Sequence, residues 1–232
     1  RRVRAKTGGH YPAPLKIIEV LLRGLRRPVD EALAIEAEGF GELTATSVHA
    51  NLLHLFRMRE RARKTRLHFP GFEPESIARL GVLGAGVMGG GIAQLAAAEG
   101  IEARLKDIHD VAISGGLRHA RELFSKAVKG RRMTRIAADR ALERIAGGLT
   151  WSGFAQADLV VEAVVERMDV KRAVLRECEA QVSDRCIIAT NTSSLSVDVM
   201  AGALRHPERF AGLHFFNPVH RMPLVEIVRG HK

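Results

Sequence analysis

The residues with the clearest chemical potential are three glycines and an aspartate. Gly84, Gly86 and Gly89 spell G-x-G-x-x-G inside the uncharged run "LGVLGAGVMGGGIAQLAAA". A run of that length just reaches what a membrane span needs. Its clustered glycines argue against one, since each costs a continuous helix about 1 kcal/mol relative to alanine. They suit a turn in which the backbone takes positive φ and comes close to a ligand. The spacing therefore predicts a short buried strand, residues 79–83, a glycine turn, and a helix over about 86–98. Such a junction cradles a pyrophosphate on the free amides of a helix N-terminus. The motif alone is weak and needs a second strand ending in an acid about 20 residues on. "IEARLKD" supplies it: Ile101, Ala103 and Leu105 alternate with polar residues, and Asp107 ends the run. That carboxylate can accept the adenosine ribose hydroxyls and would repel a 2′-phosphate. The plainer alternative is a helix-capping aspartate, which Asp110 could equally supply.

The elements that must hold these residues can be read from the rest of the chain. Residues 12–65 read as mainly helical. "PAPLKIIEVLLRGL" opens with prolines, "DEALAIEAEGFGELTAT" is acidic at its start, and "SVHANLLHLFRMRERARK" turns basic towards its end. "TRLHFPGFEPES" carries two prolines and a glycine and reads as a linker. From about Ile77, strands alternate with helices. Helices are expected at about 111–128 and 134–146 and in "DVKRAVLRECEAQV". Strands are expected at 157–164, at 185–191, in "RFAGLHFF" and in "LVEIVRG". This alternation implies a doubly wound parallel sheet with ligands at the carboxyl ends of its strands. Asp107, Glu162, Glu166, Asn191 to Ser194, His214 and Asn217 fall at those ends. Glu162 can also be read as a buried strand carboxylate, and His220 as structural.

Composition bounds the function. With 232 residues, 46% of them apolar, the chain can form one large or two small domains. Aromatics at 5% are too few for stacking platforms that bind single-stranded nucleic acid. Cys178 and Cys186 make no disulfide framework, so a reducing, cytosolic setting is expected. No secretory signal or transmembrane segment is expected. The net charge of +10 gathers at the N-terminus, at 57–66 and at 118–135. It reads first as solvated helix faces, then as attraction for a polyanionic small ligand, and only third as nucleic-acid binding. The start at Arg1 and the ending "VRGHK" read as a piece of a longer protein.

"GVLGAGVMGGGIA", "DLVVEAVVERMDVK", "ATNTSSLS" and "GLHFFNPVHRMPLVEIVRG" together resemble the 3-hydroxyacyl-CoA dehydrogenase family, in the form found in multifunctional fatty-acid β-oxidation subunits. The resemblance covers 77–232 strongly. Residues 7–65 resemble the tail of a crotonase-like enoyl-CoA hydratase half. The implied organisation is a helical crotonase-like tail at 1–65, a linker at 66–76, and an NAD-binding Rossmann-like α/β domain at 77–232. The family's helical C-terminal domain would lie beyond Lys232, and the hydratase's catalytic acids before Arg1.

The resemblance also implies roles. NAD would lie on Gly84, Gly86, Val87, Met88 and Gly89, with Asp107 on the adenine ribose and Glu166, Lys171, Ser193 and Asn217 beside the cofactor. Ser193 and Asn191 would contact the 3-hydroxyacyl-CoA. His214 would be the base, Glu226 its carboxylate partner, and Ser193 a further catalytic contact. No metal is called for. A thiolase β-subunit is the implied partner, with homo-oligomerisation possible; acyl-CoA contacts in the helix after Asp107 stay open. The residue types suit the chemistry: histidine is the natural base at neutral pH, and "NPVHRMP" is turn-forming enough to set His214 and Glu226 side by side. Two rivals are a hydroxyacid dehydrogenase with a lysine base, and a non-catalytic nucleotide- or nucleic-acid-binding module.

Overall fold

The computed structural model describes residues 2–64, 71 and 75–231. Most of the expected linker, 66–70 and 72–74, lies outside the described residues. The chain forms two compact units, Arg1–Pro74 and Glu75–Lys232.

The first unit is helical: α1 (Arg2–Thr7), α2 (Ala13–Gly24), α3 (Val29–Thr44) and α4 (Ser47–Arg63). Helix α1 lies ahead of residues 12–65, which read as helical, and inside the 1–65 tail that the resemblance implies. Helix α3 carries Asp30 and Glu31 in its first turn, where they complement the helix dipole. Thr46 caps α4 by accepting the His49 N–H at 3.2 Å. Helices α2 and α3 approach closely because Gly39 has no side chain; a Cβ there would stand 2.6 Å from Val20 Cγ2. Ion pairs Arg23–Glu38 and Lys16–Glu42 flank that contact at 2.8 and 2.7 Å.

The second unit holds β1 (Arg79–Leu83), α5 (Val87–Ala98), β2 (Glu102–Lys106), α6 (Asp110–Lys129), α7 (Arg135–Glu143), β3 (Ile145–Gly148), β4 (Leu159–Glu162), α8 (Met168–Glu179), β5 (Ile187–Thr190), α9 (Val197–Ala201), β6 (Phe210–Phe215) and β7 (Val225–Val228). They form a seven-stranded sheet of order β3-β2-β1-β4-β5-β6-β7. Strand order reverses between β1 and β4, the switch point at which doubly wound sheets bind ligands. Among the described residues, no helix is long and apolar enough to cross a membrane. The uncharged run is instead β1, a turn and α5.

Alternating residues face two cores. Val82, Leu105, Ile92 and Phe124 pack on the side of α5 and α6. Leu83, Val160, Ile188, Leu175 and Met200 pack on the side of α8 and α9, with Cys178 and Cys186 buried among them as free thiols.

Two expectations are corrected. The helix expected over 134–146 stops at Glu143, and Ile145–Gly148 instead pairs with β2 as a parallel edge strand. Helix α6 packs so close to β3 that a Cβ on Gly147 would lie 2.5 Å from Ile113 Cγ2; "IAGG" fits that contact where a bulkier strand would not. The sheet is also not wholly parallel: β7 runs antiparallel to β6. A short turn can join two neighbouring strands only antiparallel, because parallel pairing needs a long crossover.

Candidate functional site

The turn after β1 is built on its main chain. Gly84 has φ of +95°, and a Cβ there would lie 2.6 Å from the Ala163 carbonyl. At Gly89 a Cβ would stand 1.8 Å from the Gly84 carbonyl oxygen, so any side chain would push α5 off the strand. Gly86 differs: nothing lies within 4 Å of its missing Cβ. It caps α5, and the first-turn amides, through Val87 and Met88, have no partner further back in the helix. Two glycines thus serve packing, and the third leaves an open approach to unpaired N–H donors.

Asp107 ends β2 beside this turn. One carboxylate oxygen accepts the Ala85 N–H at 2.8 Å, and the other accepts those of Ile108 at 2.7 Å and His109 at 3.2 Å. The carboxylate is therefore fixed against the glycine turn, with a lone pair left on the oxygen that faces Ala85. It lines a cleft of about 410 Å³ walled by Gly84, Gly86, Ile108, Trp151 and Val165. An apolar slot, a fixed acid and an open glycine at a helix N-terminus fit an adenosine diphosphate half.

A second cluster spans the ends of β4 and β5. Glu162 is fully buried and Lys171 is 1% exposed. The Lys171 ammonium donates to both Glu162 oxygens at 2.7 and 3.0 Å, and lies 3.2 Å from Glu166. Glu162 also accepts the Val164 N–H and the Thr190 hydroxyl, each at 2.7 Å. Glu166 accepts the Thr192 hydroxyl, the Ser193 N–H at 3.3 Å and the Ser194 hydroxyl at 3.4 Å. Burial would raise the Glu166 carboxyl, but Thr192, Lys171 and Ser193 outweigh it and hold it below the usual range. Lys171 was expected beside the cofactor. Its ammonium is enclosed by the Glu162 and Glu166 carboxylates and the Val164 carbonyl. Thr190 goes unnoticed in the sequence, and Thr192 enters only as part of the strand-end run Asn191 to Ser194. "ATNTSS" contains both, but nothing in their spacing reveals a buried acid opposite.

The third part lies on β6 and β7. Antiparallel register sets His214 opposite Glu226, and His214 Nδ1 meets Glu226 Oε2 at 2.8 Å. The His214 side chain is 16% exposed and that of Glu226 50%. Phe216 lies against the imidazole with ring centroids 4.4 Å apart. Asn191 braces the strand: its side-chain oxygen accepts the Phe215 N–H at 2.8 Å. The exposed Asn217 precedes a cis bond to Pro218. Two residues on, buried Val219 lies 3.1 Å from where a Gly91 Cβ would stand, which docks this turn against α5. The exposed hydroxyl of Ser193 has no hydrogen-bond partner among the described residues. Of the structural histidines, burial and the charges of Arg221, His119, Arg132 and Lys126 lower His220.

The sequence family described as 3-hydroxyacyl-CoA dehydrogenase, NAD binding domain, matches residues 79–232. The fatty acid oxidation complex subunit alpha of Pseudomonas putida strain F1 is 44% identical over 231 residues, 99% of this chain and 32% of that protein. The subunit of the same name from Psychrobacter arcticus is 43% identical, covering 96% of this chain and 31% of that protein. The chain thus spans about a third of the length of these curated relatives. Among solved structures, (S)-3-hydroxybutyryl-CoA dehydrogenase PaaH1 from Ralstonia eutropha superposes with a TM-score of 0.66 at 38% identity, covering 67% of this chain and 55% of that one.

Proposed function

The chain belongs to the 3-hydroxyacyl-CoA dehydrogenase family through its NAD-binding domain, and from that premise we propose that the protein oxidises a (3S)-3-hydroxyacyl-CoA to the 3-oxoacyl-CoA. The observation that carries this reading is the 2.8 Å contact between His214 Nδ1 and Glu226 in a cross-strand pair. Glu226 fixes the tautomer with the proton on Nδ1, leaving Nε2 to take the proton of the substrate hydroxyl. As that proton arrives, the carboxylate stabilises the imidazolium. Bound NAD supplies the hydride acceptor. Ser193 offers a free hydroxyl, and Asn191, its carbonyl held by Phe215, has amide protons left to orient the substrate oxygen. Asp107 selects the cofactor without a 2′-phosphate by charge and by the ribose hydroxyls. A lysine base is disfavoured at Lys171, which is enclosed by Glu162 and Glu166.

The first unit is read as the tail of a crotonase-like hydratase half. The whole protein would then combine lyase and dehydrogenase activities in a cytoplasmic complex with a thiolase subunit. Support comes from the alignment of the relatives over 99% of the chain, the helical unit included. The decisive experiment is a spectrophotometric assay of NADH formation from a (3S)-3-hydroxyacyl-CoA by the full-length protein and its His214→Gln variant. No turnover by the parent, or an undiminished rate in the variant, would overturn the reading.

A further inference from the structure

The Glu162–Lys171 pair asks for a reason. Two charges withdrawn from water cost more than their attraction readily returns, and apolar residues of like volume often serve a core as well or better. This pair is nonetheless completely satisfied. Glu162 takes four donor contacts: Val164 N–H, Thr190 hydroxyl, and Lys171 on each oxygen. It joins β4, β5 and α8 at the switch-point end of the sheet. An apolar replacement would fill the same space but could not reach outward. Lys171 does, to the half-exposed Glu166. Glu166 in turn gathers the Thr192 hydroxyl, the Ser193 amide and the Ser194 hydroxyl. The chain of contacts runs from a fully buried carboxylate to the loop that carries the unpaired Ser193 hydroxyl.

We infer that Glu162 and Thr190 are positioning residues: acting through the Lys171 ammonium, they hold Glu166 and the Thr192–Ser194 loop in the conformation that receives the nicotinamide half of the cofactor. Neither touches ligand. Without the buried anchor, Glu166 is free to turn into solvent and the loop loses its common acceptor. The inference rests on the dehydrogenase reading but can fail separately from it.

The test is made in the full-length protein. Lys171→Met alone would leave Glu162 buried without its counter-charge and is expected not to fold. The neutral double variant Glu162→Gln/Lys171→Met keeps an oxygen to accept the Val164 N–H, turns its amide N–H to donate to the Thr190 hydroxyl, and leaves no lone buried charge. It should unfold within a few degrees of the parent, while the Kd for NADH, read by fluorescence, rises about tenfold or more. The KM for NAD should rise with it, by a larger factor than any fall in kcat. A merely structural role predicts the opposite split: a lower melting temperature and less active protein, with Kd and KM of the folded fraction unchanged. That pattern would overturn the inference. Should the double variant not fold, Thr190→Val decides, since it deletes one hydrogen bond and no charge; a Kd raised about threefold supports the inference, and an unchanged Kd overturns it. A parent that binds no NADH would instead sink the dehydrogenase reading itself.

Discussion

At the β1–α5 turn the surface offered to ligand is main chain, whereas at β6–β7 it is side chain. In the turn, side-chain absence does the work: Gly84 and Gly89 sit where any Cβ would strike a carbonyl within 2.6 Å. On β6 and β7 the fold contributes only register, and the chemistry belongs to two replaceable groups, His214 and Glu226. Gly84, Ala85 and Gly89 are buried in the turn, while Gly86 is open; β7 is an edge strand whose last three residues are exposed. A substitution at Gly84 or Gly89 should therefore fail through the fold, and one at the pair should fail through the reaction.

The largest effect sharpens that contrast. His214→Gln should lower turnover about 10²- to 10⁴-fold, roughly 3–5 kcal/mol, while NADH affinity stays near that of the parent. A parallel loss of NADH affinity would show that the imidazole serves the cofactor and not the substrate proton. Glu226→Gln should lose as much or less. The double variant should lose far less than the product of the two, because residues acting as one unit are non-additive. Multiplying losses in steady-state kinetics would dissolve the dyad.

Next comes a comparison within the turn itself. Gly89→Ala should cost about 3 kcal/mol of stability or more, since a 1.8 Å approach cannot be absorbed without moving α5. Gly86→Ala meets open space, and denaturant midpoints should shift by no more than about 0.5 kcal/mol. Its NADH affinity should fall about tenfold, or 1.4 kcal/mol, because the methyl stands where the pyrophosphate must come close. If both variants lost stability equally, the division between packing and ligand-facing glycines would be wrong.

Asp107→Ala joins the two kinds of failure. It strands three backbone donors, which should cost about 1–3 kcal/mol, and it should also erase most of the preference for NADH over NADPH in paired titrations. A preference that survives the substitution would move selectivity elsewhere in the cleft.

The smallest effect concerns acid. Glu166 is held below the ordinary glutamate value of 4.5. Stability from such a group is present above the unfolded value and disappears as pH falls through the lower folded one. Melting temperature should therefore decline with acidification below about pH 5 more steeply in the parent than in Glu166→Gln. Equal slopes would mean that Thr192, Lys171 and Ser193 do not hold the charged form.

Local patterns made much of this molecule legible. The strand–glycine–helix junction could be read because each requirement is met within 20 residues: apolar strand, positive-φ turn, small helix face. Asp107 was legible because Ala103 and Leu105 alternate inward before it. The short strand β3 was not legible. "RIAGG" continues a helical pattern as plausibly as it starts a strand, and only pairing with β2 and the close approach of α6 settle it. The direction of β7 was likewise invisible to periodicity, since an alternating strand looks the same either way.

Sequence by itself determined what depends on residues close in the chain: the glycine cradle, the helices of the first unit, the two buried faces of the strands, and a motif set specific enough for a family resemblance. Tertiary structure alone decided what depends on partners far apart. It set Glu162 against Thr190 across 28 residues, and it supplied the antiparallel register that brings to 2.8 Å the His214 and Glu226 side chains, which the sequence pairs only through a family resemblance and a turn-forming stretch. It also enclosed the Lys171 ammonium between Glu162 and Glu166. The physical reason is that charges and hydrogen bonds act over a few ångströms of space, and spacing along a chain carries that distance only where one helix, strand or turn spans the whole interval.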